Sequence, residues 1–251
     1  MAKQGGLGDN LYVAGYDLSG DIGSLGGISG GPAALEVTGI DKSAFERIGG
    51  LRDGKLEYTA WFNKATDRAH LRLSTLPTGD VITTYFRGTA LGGASANIVA
   101  KQINYDGTRA DDGAFSFAVE AQANGYGVEW GRSMTAGKRT DGGAANGSSV
   151  DFGTGSTTFG LQAYLHVFAF TGTDATIRIQ ESSDDGAGDA FANVTGGAFT
   201  QVTAGPTSER IATAAGQTVE RYLRVITATT GGFSDLQFAV SVVRNATAVV
   251  F

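Results

Sequence analysis

ANIVAKQINYDGTRADDGAFSFAVEAQAN, residues 96–124, is the stretch that decides the fold class. It reads as two long strands joined by a polar turn region. In the second strand Phe115, Phe117, Val119, Ala121 and Ala123 alternate with Ser116, Ala118, Glu120, Gln122 and Asn124. Side chains on a strand point alternately to opposite faces, so one face of this hairpin is apolar and the other small and polar. A strand of this kind needs a core on one side and water on the other. In the first strand Lys101 falls with Val99, Ile103 and Tyr105, and Gln102 and Asn104 form the opposite set.

The surrounding sequence has a matching texture. The 251 residues include 39 glycines and only 3 prolines, with no collagen period and no convincing internal repeat, and 41% are hydrophobic. Dense glycine together with Val, Thr, Phe and Tyr fits strands joined by tight turns, and the hydrophobic content suffices for a core. The expected class is all-β with one or two short helices. Ser43 and Glu46 have capping-box spacing ahead of Gly49 and Gly50, which predicts one helix there, and residues 63–77 predict a second that stops before Pro77. Strands are expected at 53–62, 81–90, 159–170, 173–185, 217–227 and 233–245. Residues 11–31 open with strand character and become a glycine-rich arm. The Gly, Ser, Thr and Ala of 131–158 mark a boundary. The expected domains are therefore 1–135, a linker over 136–158, and a C-terminal β-sandwich over 159–251.

Charge narrows the partners. The formal net charge is −6, and the densest basic group is only GKRTD at 137–141. Gripping nucleic acid through its phosphates calls for a basic patch, so tight DNA binding is disfavoured, although a neutral or acidic wall that DNA slides past is compatible. Without cysteine there is neither a disulfide scaffold nor a thiolate metal site. MAKQGGLGDN at the start lacks the apolar run of a signal peptide, and no stretch approaches the ~20 apolar residues of a membrane-spanning helix.

Candidate chemistry is sparse. GISGG at 27–31 fits the G-x-S-x-G elbow that would make Ser29 a nucleophile, but Gly30, Gly31 and Pro32 leave no clean helix start. His70 and His166 lack the spaced companions of a zinc site. ESSDDGAGD at 181–189 is acidic without the ligand order of a calcium loop, and no glycine cluster carries the Lys-Ser/Thr of a phosphate loop. Asn146, Asn193 and Asn245 sit in N-x-S/T patterns with no secretory signal to give them use. Trp61, Trp130 and Tyr164 are candidates for a sugar-stacking platform, with core or interface packing as the ordinary role of such rings. No acid, base, nucleophile and orienting group converge, and the chain is expected not to be an enzyme.

LYVAGYDLSGDIGSL, VTGIDKSAFERIGGLRDGKLEYTAWFN, FSFAVEAQANG, QVTAGPTSERIAT and QTVERYLRVIT together resemble the major tail (tail tube) proteins of long-tailed, siphovirus-type phages, especially those of actinobacterial hosts. The resemblance spans nearly the whole chain and lies in phrase order, not in a catalytic motif. It implies a tail-tube β-sandwich or barrel domain whose copies close hexameric rings around a shared inner β-barrel. The rings stack into a tube through which the genome is ejected. The lumen-facing residues it implies are Gln102, Asn104, Ser116, Glu120 and Gln122, and the inter-subunit arm would carry Tyr16, Leu18, Ile22 and Leu25. The implied partners are further copies of the chain, other tail proteins at the tube ends, and DNA that passes without specific binding. No cofactor and no membrane are implied. The place of the protein would be the virion tail, after assembly in the host cytoplasm. The C-terminal sandwich resembles modules that decorate tail exteriors. A capsid or tail decoration protein, or a carbohydrate-binding β-sandwich, is the alternative.

Overall fold

A computed structural model describes residues 5–153 and 155–249. The chain is almost entirely antiparallel β. It opens with β1 (Asn10–Val13), β2 (Tyr16–Asp17) and a single helical turn at Ser19–Asp21, followed by two long strands, β3 (Ile22–Glu36) and β4 (Arg47–Trp61). After the short helix α1 (Ala69–Leu73) come β5 (Val81–Phe86), β6 (Ala94–Gln102), β7 (Asp106–Arg109) and the longest strand, β8 (Phe115–Ser133). Then follow β9 (Arg139–Asp141), β10 (Ala145–Asn146), β11 (Val150–Asp151), β12 (Leu161–Gly172) and β13 (Thr176–Ser182). The chain closes with β14 (Ala192–Ala198), β15 (Thr207–Ala212), β16 (Tyr222–Ala228) and β17 (Phe233–Arg244). Among the described residues no helix is long and apolar enough to cross a membrane.

Alternation in β8 builds the first core. Phe117, Val119 and Ala121 are buried and pair in register with Ala60, Tyr58 and Leu56 of β4. Leu11, Leu18, Leu73, Ile98 and Ala100 close the same cluster. A second cluster fills the sandwich between β12–β17 and the sheet ordered β10-β16-β13-β14, with Leu161, Leu165, Ile177, Ile179, Leu223, Val225, Phe238 and Val240.

Three expectations are corrected. The helix predicted around Ser43–Glu46 does not form: residues 37–46 turn at the end of a β3–β4 hairpin, where the Thr38 hydroxyl and the Val37 amide bind the Glu46 backbone. A helix there would have no core to pack against, and packing is where most helical stability comes from. The helix predicted over 63–77 shrinks to α1, whose Ala69 amide is held by Asp21 at 3.0 Å. Residues 136–158 are not a spacer through solvent. They hold β9, which pairs with β17, and β10 and β11, which pair with β16. Arg139 fixes this segment by gripping Asp141 with two nitrogens, both at 2.8 Å, while lying over Phe238.

The two cores are joined by a seam of buried polar groups and a small apolar cluster of Tyr12, Phe86 and Ala239 with Phe168 against it. Ser95 and Ser241 share a hydrogen bond of 2.6 Å across it. His166 is fully buried there, accepting from the Gly15 amide at 3.2 Å and meeting the Thr84 hydroxyl at 2.9 Å. Gly15 is required: its φ is +84°, and a Cβ would sit 2.6 Å from the Thr207 carbonyl oxygen. Glu129, Tyr164 and Arg210 form the other end of the seam, with Arg210 Nε 2.9 Å from Glu129 Oε2 and 3.0 Å from Tyr164 Oη. Tyr164 donates its hydroxyl to Glu129. Arg210 also stacks 3.7 Å from the centre of the Tyr126 ring.

Burial in the seam pulls the His166 imidazole down to about 3, from an ordinary 6.5. The unfolded chain therefore takes up a proton near pH 6.5 that the folded chain refuses until about pH 3. Stability from this group is intact above that window and falls as pH drops through it, by about 1.4 kcal/mol per pH unit. Urea unfolding across that window is expected to lose stability more steeply in the wild type than in His166→Gln. Equal slopes for the two would contradict the assignment.

Candidate functional site: an open polar sheet face and a projecting hairpin

The stretch β3–β4–β8–β7 is a sheet with one face on the first core and one face bare. On the bare face the register places Lys55 opposite Gln122, Glu57 opposite Glu120, Thr59 opposite Ala118 and Trp61 opposite Ser116. From β7, Asp106 and Thr108 stand beside Ala118 and Ser116. From β3, Ser24 and Ser29 stand beside Thr59 and Lys55. Glu57 and Glu120 are like charges placed directly opposite, an arrangement that costs stability in a sheet. Lys55 offsets it by bonding Glu57 at 2.7 Å. The hydrogen bond to Glu57 holds the Lys55 ammonium above its ordinary value, against some desolvation, and the charges of Glu57 and Glu120 add to it.

Ser116, Glu120 and Gln122 thus share one face, as the alternation of β8 predicts. The partner strand differs. Lys101 pairs with Gln122 and Gln102 with Ala121, so Lys101 lies on the polar face and Gln102 on the core side. Gln102 donates to the Leu73 carbonyl at 2.7 Å, at the end of α1. Ile98 and Ala100 both lie in the first core, so Gln102 continues their face while Lys101 shares the opposite face with Val99; the register shift between Ile98 and Ala100 is taken up by extra residues in β8 and leaves the parity of β6 intact. Asn104 lies beyond β6 and accepts the Glu120 amide at 2.8 Å, acting as a side-chain substitute for a strand partner.

Of the expected inter-subunit arm, Leu18 is corrected. Leu18 is fully buried in the chain's own core, and Tyr16, Ile22 and Leu25 pack against that cluster, so Leu18 has no surface to offer a neighbour. The projecting element lies further along. Strand β4 pairs with β8 only from Lys55 to Trp61, while its pairing with β3 runs on to Glu36 and Arg47. The hairpin tip therefore reaches about 20 Å past the sheet. Leu35, Val37, Ile40, Phe45, Ile48 and Leu51 are all exposed on it, Leu51 at 89% and Phe45 at 67%. At the opposite end of β4 and β8 lies a second apolar group: Trp61, Phe62, Leu71 and Phe115 are exposed, with Phe62 stacked among His70, Phe115 and Phe117.

The outer edges of this sheet are unpaired: among the described residues β3 bonds only β4, and β7 bonds only β8. Free edges with backbone donors and acceptors invite another strand.

The remaining sequence candidates do not assemble a reactive site. Ser29 lies in mid-strand opposite Lys55, and β3 continues past it instead of turning into a helix. His70 lies in the aromatic group around Phe62 and His166 in the seam, and among the described residues no group of His, Cys, Asp or Glu is arranged to hold a metal ion. In the acidic loop Asp184 turns its carboxylate on the amides of Ala187, Gly188 and Asp189, which lowers its affinity for protons and closes the turn on itself. Tyr164 is fully buried and unavailable as a sugar platform, whereas Trp61 and Trp130 are exposed.

No family model matches the chain, and no curated protein matches it significantly. Similar solved structures include the tail of an empty GTA particle with C6 symmetry, 16% identical with a TM-score of 0.39, covering 49% of this chain and 96% of that one. The Dit hub protein of phage SPP1 is 12% identical with a TM-score of 0.31, covering 93% and 98% of the two chains. A chain of the phage p2 baseplate in its activated conformation is 11% identical with a TM-score of 0.32, covering 96% and 99%. Superpositions this loose fix no function.

Proposed function

We propose that this chain is a non-enzymatic structural subunit of a phage tail tube, polymerising as stacked rings that form a conduit for the genome. One observation carries the reading: a sheet that is complete on its core face is unfinished at both edges and bare on its other face. Copies joined head to tail, β3 of one beside β7 of the next, continue the sheet around an axis. A heterologous contact of this kind closes a ring when its rotation allows, and closure removes the exposed edges. The bare face then becomes the wall of the channel, with Ser116, Glu120, Gln122, Lys101, Lys55 and Glu57 toward the lumen. Small side chains and near-cancelling charges let a polyanion pass without the counterion release that drives adhesion. The hairpin tip and the aromatic group around Phe62 lie at opposite ends of the same strands, so each ring offers one to the next. This makes further copies the principal partner, other tail proteins the partners at the tube ends, and the virion tail the location.

Negative-stain imaging of the purified protein at rising concentration tests the reading. Rings or tubes with an axial hole are expected. A chain that stays monomeric at every concentration contradicts it and favours a decoration or carbohydrate-binding module.

A further inference from the structure

The outward face of the β10-β16-β13-β14 sheet carries a feature that tube formation does not use. On it the register sets Gln180 opposite Arg224 and Arg178 opposite Ile226, which makes the two arginines diagonal neighbours about 7–8 Å apart. Arg224 donates from Nε and Nη2 to the same Gln180 oxygen, at 2.9 and 2.8 Å, and lies 4.1 Å from the centre of the Phe191 ring. Gln180 in turn donates to Asn193 at 3.0 Å. A neutral amide and a ring thus fix this guanidinium in place without cancelling its charge. Arg178 is half-buried, with no hydrogen bond or ion pair to any described residue. The register also brings Asp151 to this sheet, opposite Tyr222, and Arg221 neutralises it through two bonds of 2.7 and 2.6 Å. A chain of net charge −6 therefore keeps two arginines without an ion pair on one face, Arg224 held in place, with the acidic loop of Asp184 and Asp189 at the far end of the same strand.

We propose that this face binds an acidic polysaccharide of the uronic-acid type. Planar guanidinium forks match carboxylates in a bidentate manner. The face of a sheet offers no helix or ribbon to enter a nucleic-acid groove. The amides of Gln180, Asn193 and Asn146 and the Tyr222 hydroxyl suit a polymer with ring hydroxyls between its charges. Arg224 is ordered before binding, which reduces the entropy lost on association.

The test is binding of the full-length protein to polygalacturonate, with neutral dextran and duplex DNA as comparison probes. Salt-sensitive binding to polygalacturonate alone is expected, weakened about tenfold by Arg178→Ala or Arg224→Ala and lost in the double variant. Arg178→Gln is expected to weaken binding as Arg178→Ala does while keeping the stem that lies opposite Ile226, and so to leave the thermal unfolding midpoint unchanged. Imaging of the double variant separates this proposal from the tube reading, because ring and tube formation should persist in it. Absence of binding, equal binding to duplex DNA, or binding retained by the double variant would each overturn the proposal.

Discussion

Replacing Arg210 by Ala is expected to cost about 3–5 kcal/mol of folding stability, the range for removing one partner of a buried ion pair. Glu129 is only 4% exposed and would keep Tyr164 as its hydrogen-bond donor while losing its counter-charge. Burial works against the Arg210 charge, and the bond to Glu129 and the Glu129 charge, with the bond to Tyr164 adding, more than offset it, holding the guanidinium above its ordinary value. Burial raises the Tyr164 hydroxyl, with the Glu129 charge adding to it, so this group stays a donor. The loss is a large share of the roughly 5–15 kcal/mol that holds a typical domain folded. It also falls on the seam: Glu129 belongs to β8, Tyr164 to β12 and Arg210 to β15. Urea unfolding followed separately by Trp fluorescence and far-UV dichroism should therefore show transitions that coincide in the wild type and separate in Arg210→Ala. A triple variant, Glu129→Leu, Tyr164→Phe and Arg210→Met, should recover much of the loss, because it leaves no buried charge. A loss below about 1 kcal/mol in Arg210→Ala would mean that the network is a bystander.

Excising residues 32–52 and joining Gly31 to Asp53 through Asn-Gly is expected to abolish tubes and leave rings. Gly31 and Asp53 are in register, and a two-residue turn closes such a hairpin. The deleted segment contributes nothing to either core but carries Leu35, Val37, Ile40, Phe45, Ile48 and Leu51. Each side chain of this size, buried fully at a contact, contributes about 1.5–3 kcal/mol. Losing several of them per copy removes many orders of magnitude from ring stacking. Phe62→Ser with Phe115→Ser attacks the opposite end and should give the same phenotype. Mixed together, the two variants retain one compatible interface between them and are expected to form paired rings that stop growing. If the mixture stays as single rings, the hairpin does not dock on the Phe62 group. If neither variant forms rings, the side-by-side contact itself needs the hairpin.

The strand alternation in residues 115–123 was legible because a single core imposes it: Phe117, Val119 and Ala121 must face inward together. The facing of β6 was not. Val99, Ile103 and Tyr105 make the set that includes Lys101 look like the core side, but Ile98 and Ala100 of the other set are the ones buried in the first core, and Gln102 goes with them. Glycine is depleted in strands, so the run from Gly23 to Gly31 reads as an arm or a turn. It is a strand because β4 pairs along its whole length, and Gly23 leaves the space that the Trp61 ring fills, where a Cβ would come within 2.8 Å. The capping-box pattern at Ser43 and Glu46 is a local signal that no packing rewards. Strands β14 and β15 carry no clear alternation, because their residues are mixed and largely exposed or half-exposed. The seam left one readable trace: Glu129 follows the inward parity of Gly127 in β8, and a carboxylate at an inward position calls for a partner.

Cryo-electron microscopy of the assembled protein tests the central claim most directly. The predicted map has an open axis lined by Ser116, Glu120, Gln122 and Lys101, with β3 of each copy hydrogen-bonded to β7 of the next. A map in which that face is packed against other protein, or in which both edges remain unpaired, would contradict it.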